Sequence, residues 1–542
     1  MSSNCQEVKD ALETALEKYE LQSAVDVVVT GCMGACSTGP TLIIEPEDVF
    51  YCGLQAKDMD ELVRIHFLEK TICREKTFFD LNTGEYTPYL KDVPFFKGQE
   101  KIVLQNCGRI DFRSLEEYIA GDGYQALHKV LTQMSQEQVI QEISDAKLRG
   151  RGGSGFPTGL KWKLANKNES DVKYVICNAN EGDPGAFMDR SLLEGDPHGI
   201  IEGMAIAGYA IGANRGVVYV KAEYPKAIDR MEEAIRVARE KNLLGENIFE
   251  TDFSFDIEIR IGAGAFICGE ETALIASVEG ERGEPKLKPP YPSDSGLFGK
   301  PTIINNVETI GNISAIILKG AAWYTSFGTD KSTGTKVFAL AGNINNAGLV
   351  EVPMGVSLRE ILFDMGGGIP EGKKFKAALP GGPSGGCVTE EHLDVPMTYE
   401  SLPEFGATIG SGELICMDED TCMVDVARYF MEIAQEESCG KCIPCRVGTK
   451  RMLEILERIT KGQGKDGDIE LLVELGNVIK DSAFCGLGQT APNPVLSTIE
   501  LFRNEYEEHI HNHYCRAGVC SGMSDALNDD VGDDTAPCVK EV

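Results

Sequence analysis

The sequence has no run approaching the roughly 18 continuous apolar residues that a membrane-spanning helix needs. Its first residues, MSSNCQEVKD, do not form a basic segment followed by an apolar one. Neither direct membrane insertion nor export is therefore expected, and the reading is a cytoplasmic chain. Basic residues are in short supply: 52 Lys and Arg face 85 Asp and Glu, a net charge of −33. A field of that sign repels nucleic acid and anionic lipid surfaces, so no nucleic-acid partner is expected. Internal repeats and long low-complexity tracts are also missing.

What is present is an ordinary globular composition, 42% apolar and 25% charged, over 542 residues. That length exceeds what one core usually organises, so about three to five folding units are expected. Cysteine is abundant, with 18 residues, and it clusters at three places. Without an export signal such clusters point to metal ligation rather than disulfides. Cys177, Cys268 and Cys387 stand singly in apolar or Gly-rich surroundings and are expected to be small buried side chains.

Residues 1–70 read as a small α/β unit: helical spacing over VKDALETALEKYEL, a strand AVDVVVT, the turn TGCMGACSTGP, a strand TLIIEP and a helical KDMDELVRIHFLEK. Residues 71–135 read as a connecting arm. From 136 to 330, β-branched runs such as VKYVICN, RGVVYVKAEY and FDIEIRIGAG alternate with helices, the pattern of an α/β sheet domain. Residues 335–418 read as a compact α+β module with one helix, SLREILFDMG. Residues 419–512 read as four amphipathic helices, and 513–542 as a cysteine- and histidine-bearing segment with an acidic tail.

The stretch LRGRGGSGFPTGLKW (148–162) gathers Gly150, Gly152, Gly153 and Gly155 ahead of a helix, with Arg151 and Lys161 supplying positive charge. Backbone amides in such a loop can approach a phosphate closely. The spacing is not GxGxxG after a strand, so taken alone it leaves a plain flexible loop open as the alternative. Three further polar segments shift the balance: NANEGDPGAFMDR (178–190), GAGAFICGEETAL (262–274) and KPPYPSDSGLFGKPTIINNVET (288–309). Ligand sites in open α/β sheets gather at strand carboxyl ends, so four such segments in one domain suggest one shared site.

These segments, with ESCGKCIPCR further on, resemble the flavoprotein subunit of NADH dehydrogenases, the complex I 51 kDa family, which also serves NAD-reducing hydrogenases, formate dehydrogenases and electron-bifurcating enzymes. The resemblance runs from about residue 100 to 520. It implies a thioredoxin-like N-terminal domain, a Rossmann-like FMN/NAD domain, a ubiquitin-like β-grasp module of SLBB type and a C-terminal helical bundle with an iron–sulfur cluster. It implies hydride transfer between NAD(H) or NADP(H) and FMN, then one-electron transfer to iron–sulfur centres, in a soluble multisubunit complex of which electron bifurcation is one variant. Hydride transfer needs no side-chain acid or base, so no catalytic residue is named. Two other readings stay open: a non-catalytic electron relay with a degenerate flavin site, and a component of a membrane complex I.

By the same resemblance FMN contacts Gly150, Arg151, Gly152, Gly153, Lys161, Asn178, Asn180, Glu181, Gly269, Glu270, Asn305, Asn306 and Thr309, while Phe156, Glu181, Asp183, Glu271, Lys288 and Tyr291 hold the nucleotide. The family usually shows NADE where this chain has Asn178-Ala179-Asn180-Glu181, which removes a negative charge beside the flavin.

Cys439, Cys442 and Cys445 have the spacing with which a helix N-terminus wraps a corner of a [4Fe–4S] cube. The family motif adds Cys485 as fourth ligand, and a zinc Cys₄ site is the alternative. In HIHNHYCRAGVC, His509, Cys515 and Cys520, joined by Cys422, resemble a Cys₃His set suited to tetrahedral zinc; the alternative is histidines at a frayed helix end. Cys32 and Cys36 resemble the second half of a thioredoxin-like [2Fe–2S] domain whose first pair is missing. The expected ligand would fall before Met1, and a truncated start, a lost cluster, or compensation by Cys5 and Cys52 all stay open. No C-x₂-C-x₂-C-x₃-C-P run follows residue 520. Electrons are therefore expected to leave through partners: a small thioredoxin-like [2Fe–2S] subunit and a separate catalytic or electron-accepting subunit, with ferredoxin among the candidates.

Overall fold

The computed structural model describes residues 4–521 and 523–525, so most of the expected acidic tail lies outside the described residues. The helix Cys5–Lys18 buries Val8, Leu12, Ala15 and Leu16, one face at helical spacing, against Met59, Leu62 and Val63 of a second helix, Met59–Val63. Strands β1 (Leu42–Ile44) and β2 (Val49–Tyr51) form an antiparallel hairpin over them. The expected strand AVDVVVT is not one: residues 24–30 carry no ladder, and Val28 and Val29 are 49% and 38% exposed. β-branched residues favour an extended chain, but a strand is made by its partner, and no described strand runs beside this segment. The arm that follows carries one short hairpin, β3 (Phe78–Asp80) and β4 (Glu85–Thr87).

Next comes a parallel sheet of β5 (Tyr174–Ala179), β6 (Arg215–Lys221), β7 (Asp256–Gly262) and β8 (Thr302–Asn306), in the order β7-β6-β5-β8. β5 and β6 are near-continuous apolar runs, as expected where helices cover both faces. The helix Pro197–Ile211, capped by Asp196 and ended by Gly212 at φ 71°, is buried almost all round. The chain steps outward from β5 to β7 and then returns to lay β8 on the other side of β5. That reversal opens a crevice at the carboxyl ends of β5 and β8, the place where such sheets bind ligands.

The module beyond is a mixed sheet of β9 (Thr335–Gly342), β10 (Gly348–Pro353), β11 (Phe375–Pro380) and β12 (Glu413–Asp418), in the order β10-β9-β12-β11 with the central pair parallel. Its expected helix is a π-turn over Glu360–Met365. Buried charges tie the module to its neighbours. Lys336 on β9 meets Glu308 at 2.5 Å, both at most 1% exposed in their side chains, and the Glu351 carboxylate accepts from the amides of Ile102, Val103 and Leu104 at 2.9–3.1 Å. Four long helices follow, Met423–Glu436, Ile443–Thr460, Asp468–Ser482 and Asn493–Glu507, with a short one, Gly486–Thr490, between the last two. Among the described residues, no helix is long and apolar enough to cross a membrane.

Candidate active site and metal centres

At the crevice the glycine-rich segments meet. Asn178, on β5, donates its side-chain amide to the Gly269 carbonyl at 3.0 Å, and Asn180 donates to the Ala265 carbonyl at 3.0 Å. These bonds fasten the segment after β5 to the segment after β7. Between them Gly182 lies so near Phe266 that a Cβ would come within 2.5 Å of the ring and 2.9 Å of Phe266 Cα. On the β8 side, a Cβ on Gly152 would fall 2.8 Å from Asn306 Cβ, and Gly153 holds φ +114°. The Arg151 amide donates to Thr309 Oγ1 at 2.8 Å, setting the loop on the helix that follows β8. Side chains would fill this cradle; glycine keeps its backbone open to a phosphate. Asn180 Oδ1, on a residue 1% exposed, has no donor within the protein. A buried acceptor normally has one, so a ligand N–H suits this position.

Along the rim, the rings of Phe156 and Tyr291 are 42% and 54% exposed. Lys161 donates to the Ile304 carbonyl at 2.7 Å and lies 5.9 Å from the Phe156 ring centre; burial holds its pKa below the usual lysine value. Lys288 bridges Glu271 at 2.6 Å and Glu270 at 3.2 Å. Glu270 also caps the helix Glu271–Val278, accepting from the amides of Thr272 and Ala273.

Several side chains expected at the ligand point elsewhere. Arg151 is 1% exposed, and its guanidinium donates to the carbonyls of Thr333 and Thr335 at 2.6 and 3.0 Å and to the Tyr324 hydroxyl at 3.0 Å. It also donates to the Arg149 carbonyl at 3.1 Å, so its charge ties the loop to the start of the module. Glu181 is buried and accepts from the amides of Asp189 and Arg190 and from the Tyr224 hydroxyl, with desolvation raising its pKa. The Asp183 carboxylate accepts from Ser411 Oγ at 2.5 Å. Asn305 turns inward to accept from Trp162 Nε1 at 3.0 Å, and Asn306 joins Asp189 at 2.6 Å while capping Thr309. Each case follows one rule: a buried polar or charged group takes the partners the fold offers.

Cys439, Cys442, Cys445 and Cys485 all line one small cavity, with Ile267 and Phe484. Gly440, at φ +76°, turns the CGKC segment, and Pro444 sits in the first turn of the helix that follows Cys442. Ile267 belongs to the segment after β7. That segment is bound to the cysteine region by the Phe266 amide donating to Glu437 at 2.8 Å, and the neighbouring Arg282 donates to the Cys439 carbonyl at 2.8 Å. Residues 265–269 are therefore a common wall between the glycine cradle and the cysteine cavity.

Residues 143–315 match the Nuo51 FMN-binding domain, and 425–509 match the NADH-ubiquinone oxidoreductase-F iron–sulfur binding region. The NADP-reducing hydrogenase subunit HndC of Solidesulfovibrio fructosivorans is 58% identical over 427 residues, 79% of this chain and 87% of that one. The chain belongs to the complex I 51 kDa flavoprotein family. A second relative, an NADH-quinone oxidoreductase subunit of Rhizobium meliloti, is 44% identical over 77% of this chain and 99% of its own. The crystal structure of NAD⁺-reducing [NiFe]-hydrogenase in the H₂-reduced state contains a chain that overlays with a TM-score of 0.68 at 30% identity, covering 93% of this chain and 82% of that one. As a member of this flavoprotein family the chain is an NAD(P)H:acceptor oxidoreductase subunit that depends on FMN and iron–sulfur.

This family member also gathers Cys422, His509, Cys515 and Cys520, all buried, with ligand atoms within 4.8 Å of one another. Cys422 Sγ lies 3.4 Å from His509 Nε2 and 3.8 Å from Cys520 Sγ, and His509 Nε2 lies 3.4 Å from Cys520 Sγ. A tetrahedral ion with ligand distances of about 2.3 Å to sulfur and 2.0 Å to nitrogen has edges of about 3.5–3.8 Å, so the set is sized for one ion. His509 Nδ1 donates to the Glu505 carbonyl at 2.7 Å, which leaves Nε2 as the ligand atom.

Cys32 and Cys36 are exposed neighbours. The hydrogen bond from Cys36 pushes the Cys32 thiol down to about 6, while Cys36 is pushed up. Among the described residues only the C-terminal group brings three or more ligands to single-ion spacing. Sequence reasoning missed the module's part in the flavoprotein site: Tyr399 donates to the Gly150 carbonyl at 2.9 Å, and Arg149 stacks on its ring at 4.3 Å. Contacts about 250 residues apart leave no local signal.

Proposed function

We propose that the glycine cradle holds FMN with the nicotinamide of NAD(H) or NADP(H) above it, and that Cys439, Cys442, Cys445 and Cys485 ligate the [4Fe–4S] cluster. FMN supplies the chemistry that joins the two, taking a hydride's two electrons and releasing them singly. The chain's residues bind and orient. The amides of 150–155 face the phosphate, Asn178 and Asn180 brace the segment beside the flavin, and the exposed rings of Phe156 and Tyr291, with the Glu270–Glu271–Lys288 group, form the nucleotide rim. The single observation that carries the reading is the shared wall at 265–269, which sets the cradle and the cysteine cavity back to back. On this reading the module at 335–418, with strand order 2-1-4-3, is a ubiquitin-like β-grasp, the sheet domain is Rossmann-like, and residues 1–70 are thioredoxin-like. The relatives are named as a hydrogenase subunit and an NAD⁺-reducing hydrogenase, which supports a multisubunit redox complex in which a partner takes the electrons.

The Cys₃His group is assigned to a structural zinc, because its spacing fits one tetrahedral ion and no ligand position is open. A [2Fe–2S] centre at Cys32 and Cys36 would need two more ligands. Composition analysis of the purified chain therefore separates the readings: about one FMN, about four iron and about one zinc are expected, and iron near six would place a second cluster at Cys32 and Cys36. A chain with its iron in place but no FMN would be the electron relay instead. Cys422→Ser is expected to release the zinc and open the segment after 509 to proteolysis while FMN content stays at the parental level, as read by metal analysis and limited digestion.

Asn180→Asp restores the family's usual charge beside the flavin and removes the donor to the Ala265 carbonyl. Negative charge disfavours electron gain, so the two-electron FMN midpoint is expected to fall by about 30 mV or more, measured by a redox titration of the two proteins.

A further inference from the structure

We propose that Glu413, on β12 of the module, is a positioning residue for the flavin and nucleotide site: it shares one proton with Asp183 and thereby fixes the segment after β5 against the module. The inference rests on the flavin site proposed above.

Glu413 is 1% exposed, and neither of its carboxyl oxygens has a donor in the protein; Asp183 Oδ1 is buried in the same condition. Yet the two carboxyl groups are hydrogen-bonding neighbours. Two carboxylates have no hydrogen to place between them, whereas one proton satisfies both. Burial, first of all, raises both groups, Asp183 to about 6 and Glu413 well above the usual carboxylate range, with the charge of Asp183 adding to the effect on Glu413. Glu413 is then the proton holder at neutral pH. Asp183 is the anion, receiving that proton and the Ser411 hydroxyl.

The surroundings offer no other way to balance the pair. Lys221 of β6 acts on Asp183 and Lys336 of β9 on Glu413, but Lys221 donates to the Glu181 carbonyl and Lys336 is already paired with Glu308. Glu181 adds further negative charge at Glu413. Asp189, which is turned toward Asn306, is itself held well above the usual carboxylate range by burial and by the charge of Glu181. Among the described residues, no three of these carboxylates converge at ion spacing.

The position matters because the module segment ending at Glu413 touches both halves of the cradle. Gly410 lies against Gly153, where a Cβ would be 3.6 Å from the Gly410 carbonyl carbon. Ser411 and Glu413 hold Asp183, next to the Gly182 that packs on Phe266. Losing the shared proton puts two adjacent buried negative charges on these segments and drives them apart.

The test uses the FMN-loaded chain, with NADH as donor and ferricyanide as acceptor, and follows kcat and KM from about pH 7 to about pH 9.5. The parent is expected to lose kcat/KM on the alkaline side, mainly through KM. Glu413→Gln keeps an N–H donor for Asp183 and has no proton to lose, so its ratio of kcat/KM at the high to the low pH should exceed the parent's by about tenfold. Asp183→Asn removes the other half of the titrating pair and should flatten the same limb; it serves in the assay if the Gln variant loses FMN. An unchanged alkaline limb in either FMN-loaded variant overturns the proposal. Absence of FMN from the parent chain, read before any kinetics, would instead count against the site itself.

Discussion

Replacing Cys442 by serine is expected to leave the hydride step intact and to stop the electrons there. Cys442 stands at the N-cap position of the helix Ile443–Thr460, where its side chain makes no capping bond, and it lines the cavity with Cys439, Cys445 and Cys485. Serine is a favoured residue at an N-cap position, so the fold is retained. It is a poor ligand for a cluster built on thiolates, so iron content should fall toward zero. The glycine cradle does not contain residue 442, and the common wall at 265–269 is held from the other side by Asn178 and Asn180. FMN reduction by NADH in a stopped-flow experiment should therefore keep its parental rate. Transfer onward to a one-electron protein acceptor should slow by at least about a thousandfold, equivalent to roughly 4 kcal/mol in the barrier. If flavin reduction falls in parallel with the cluster, the two sites are not separable as described.

A methyl group at Gly182 acts on the opposite site. Its Cβ would stand 2.5 Å from the Phe266 ring and 2.9 Å from Phe266 Cα, and a backbone atom cannot rotate out of the way. Gly182→Ala must push the segment after β5 away from the segment after β7, at a cost of about 1–3 kcal/mol, and the Asn180 bond to the Ala265 carbonyl lies directly in that seam. Both segments border the proposed flavin site, so FMN should bind about 10–100-fold more weakly, as measured by flavin fluorescence on titration into the apoprotein. The main core under β5 and the helix Pro197–Ile211 is untouched, so far-UV circular dichroism should not change. An alanine variant that binds FMN as tightly as the parent would mean that the seam is not part of the site.

How much of this was legible in the sequence depended on whether the signal was local. The parallel sheet announced itself through apolar runs ending in glycine-rich turns, and the four C-terminal helices through their spacing, although the second begins at Ile443, ahead of the RMLEILERITKG stretch that marks it. The cysteine spacing picked out residues that line one cavity, and HIHNHYCRAGVC held His509, which the structure brings to Cys422 from 87 residues away. The strand expected at 24–30 failed because β propensity carries no information about a partner. Arg151 misled for a related reason: a cation in a glycine-rich loop reads as a phosphate ligand, yet its guanidinium is buried under Tyr324 and the Thr333 and Thr335 carbonyls. The roles of Tyr399 and Glu413 were invisible, because they arise only when the module docks on the sheet domain.

The central claim, that one wall separates a flavin that takes hydride from a cluster that takes single electrons, is tested most directly by anaerobic titration of the FMN-loaded chain with substoichiometric NADH, followed by absorbance and electron paramagnetic resonance together. The account predicts that flavin bleaching and a reduced-cluster signal grow in the same additions in the parent, and that only the flavin changes in Cys442→Ser. A flavin that stays oxidised under NADH in the loaded parent chain would contradict it.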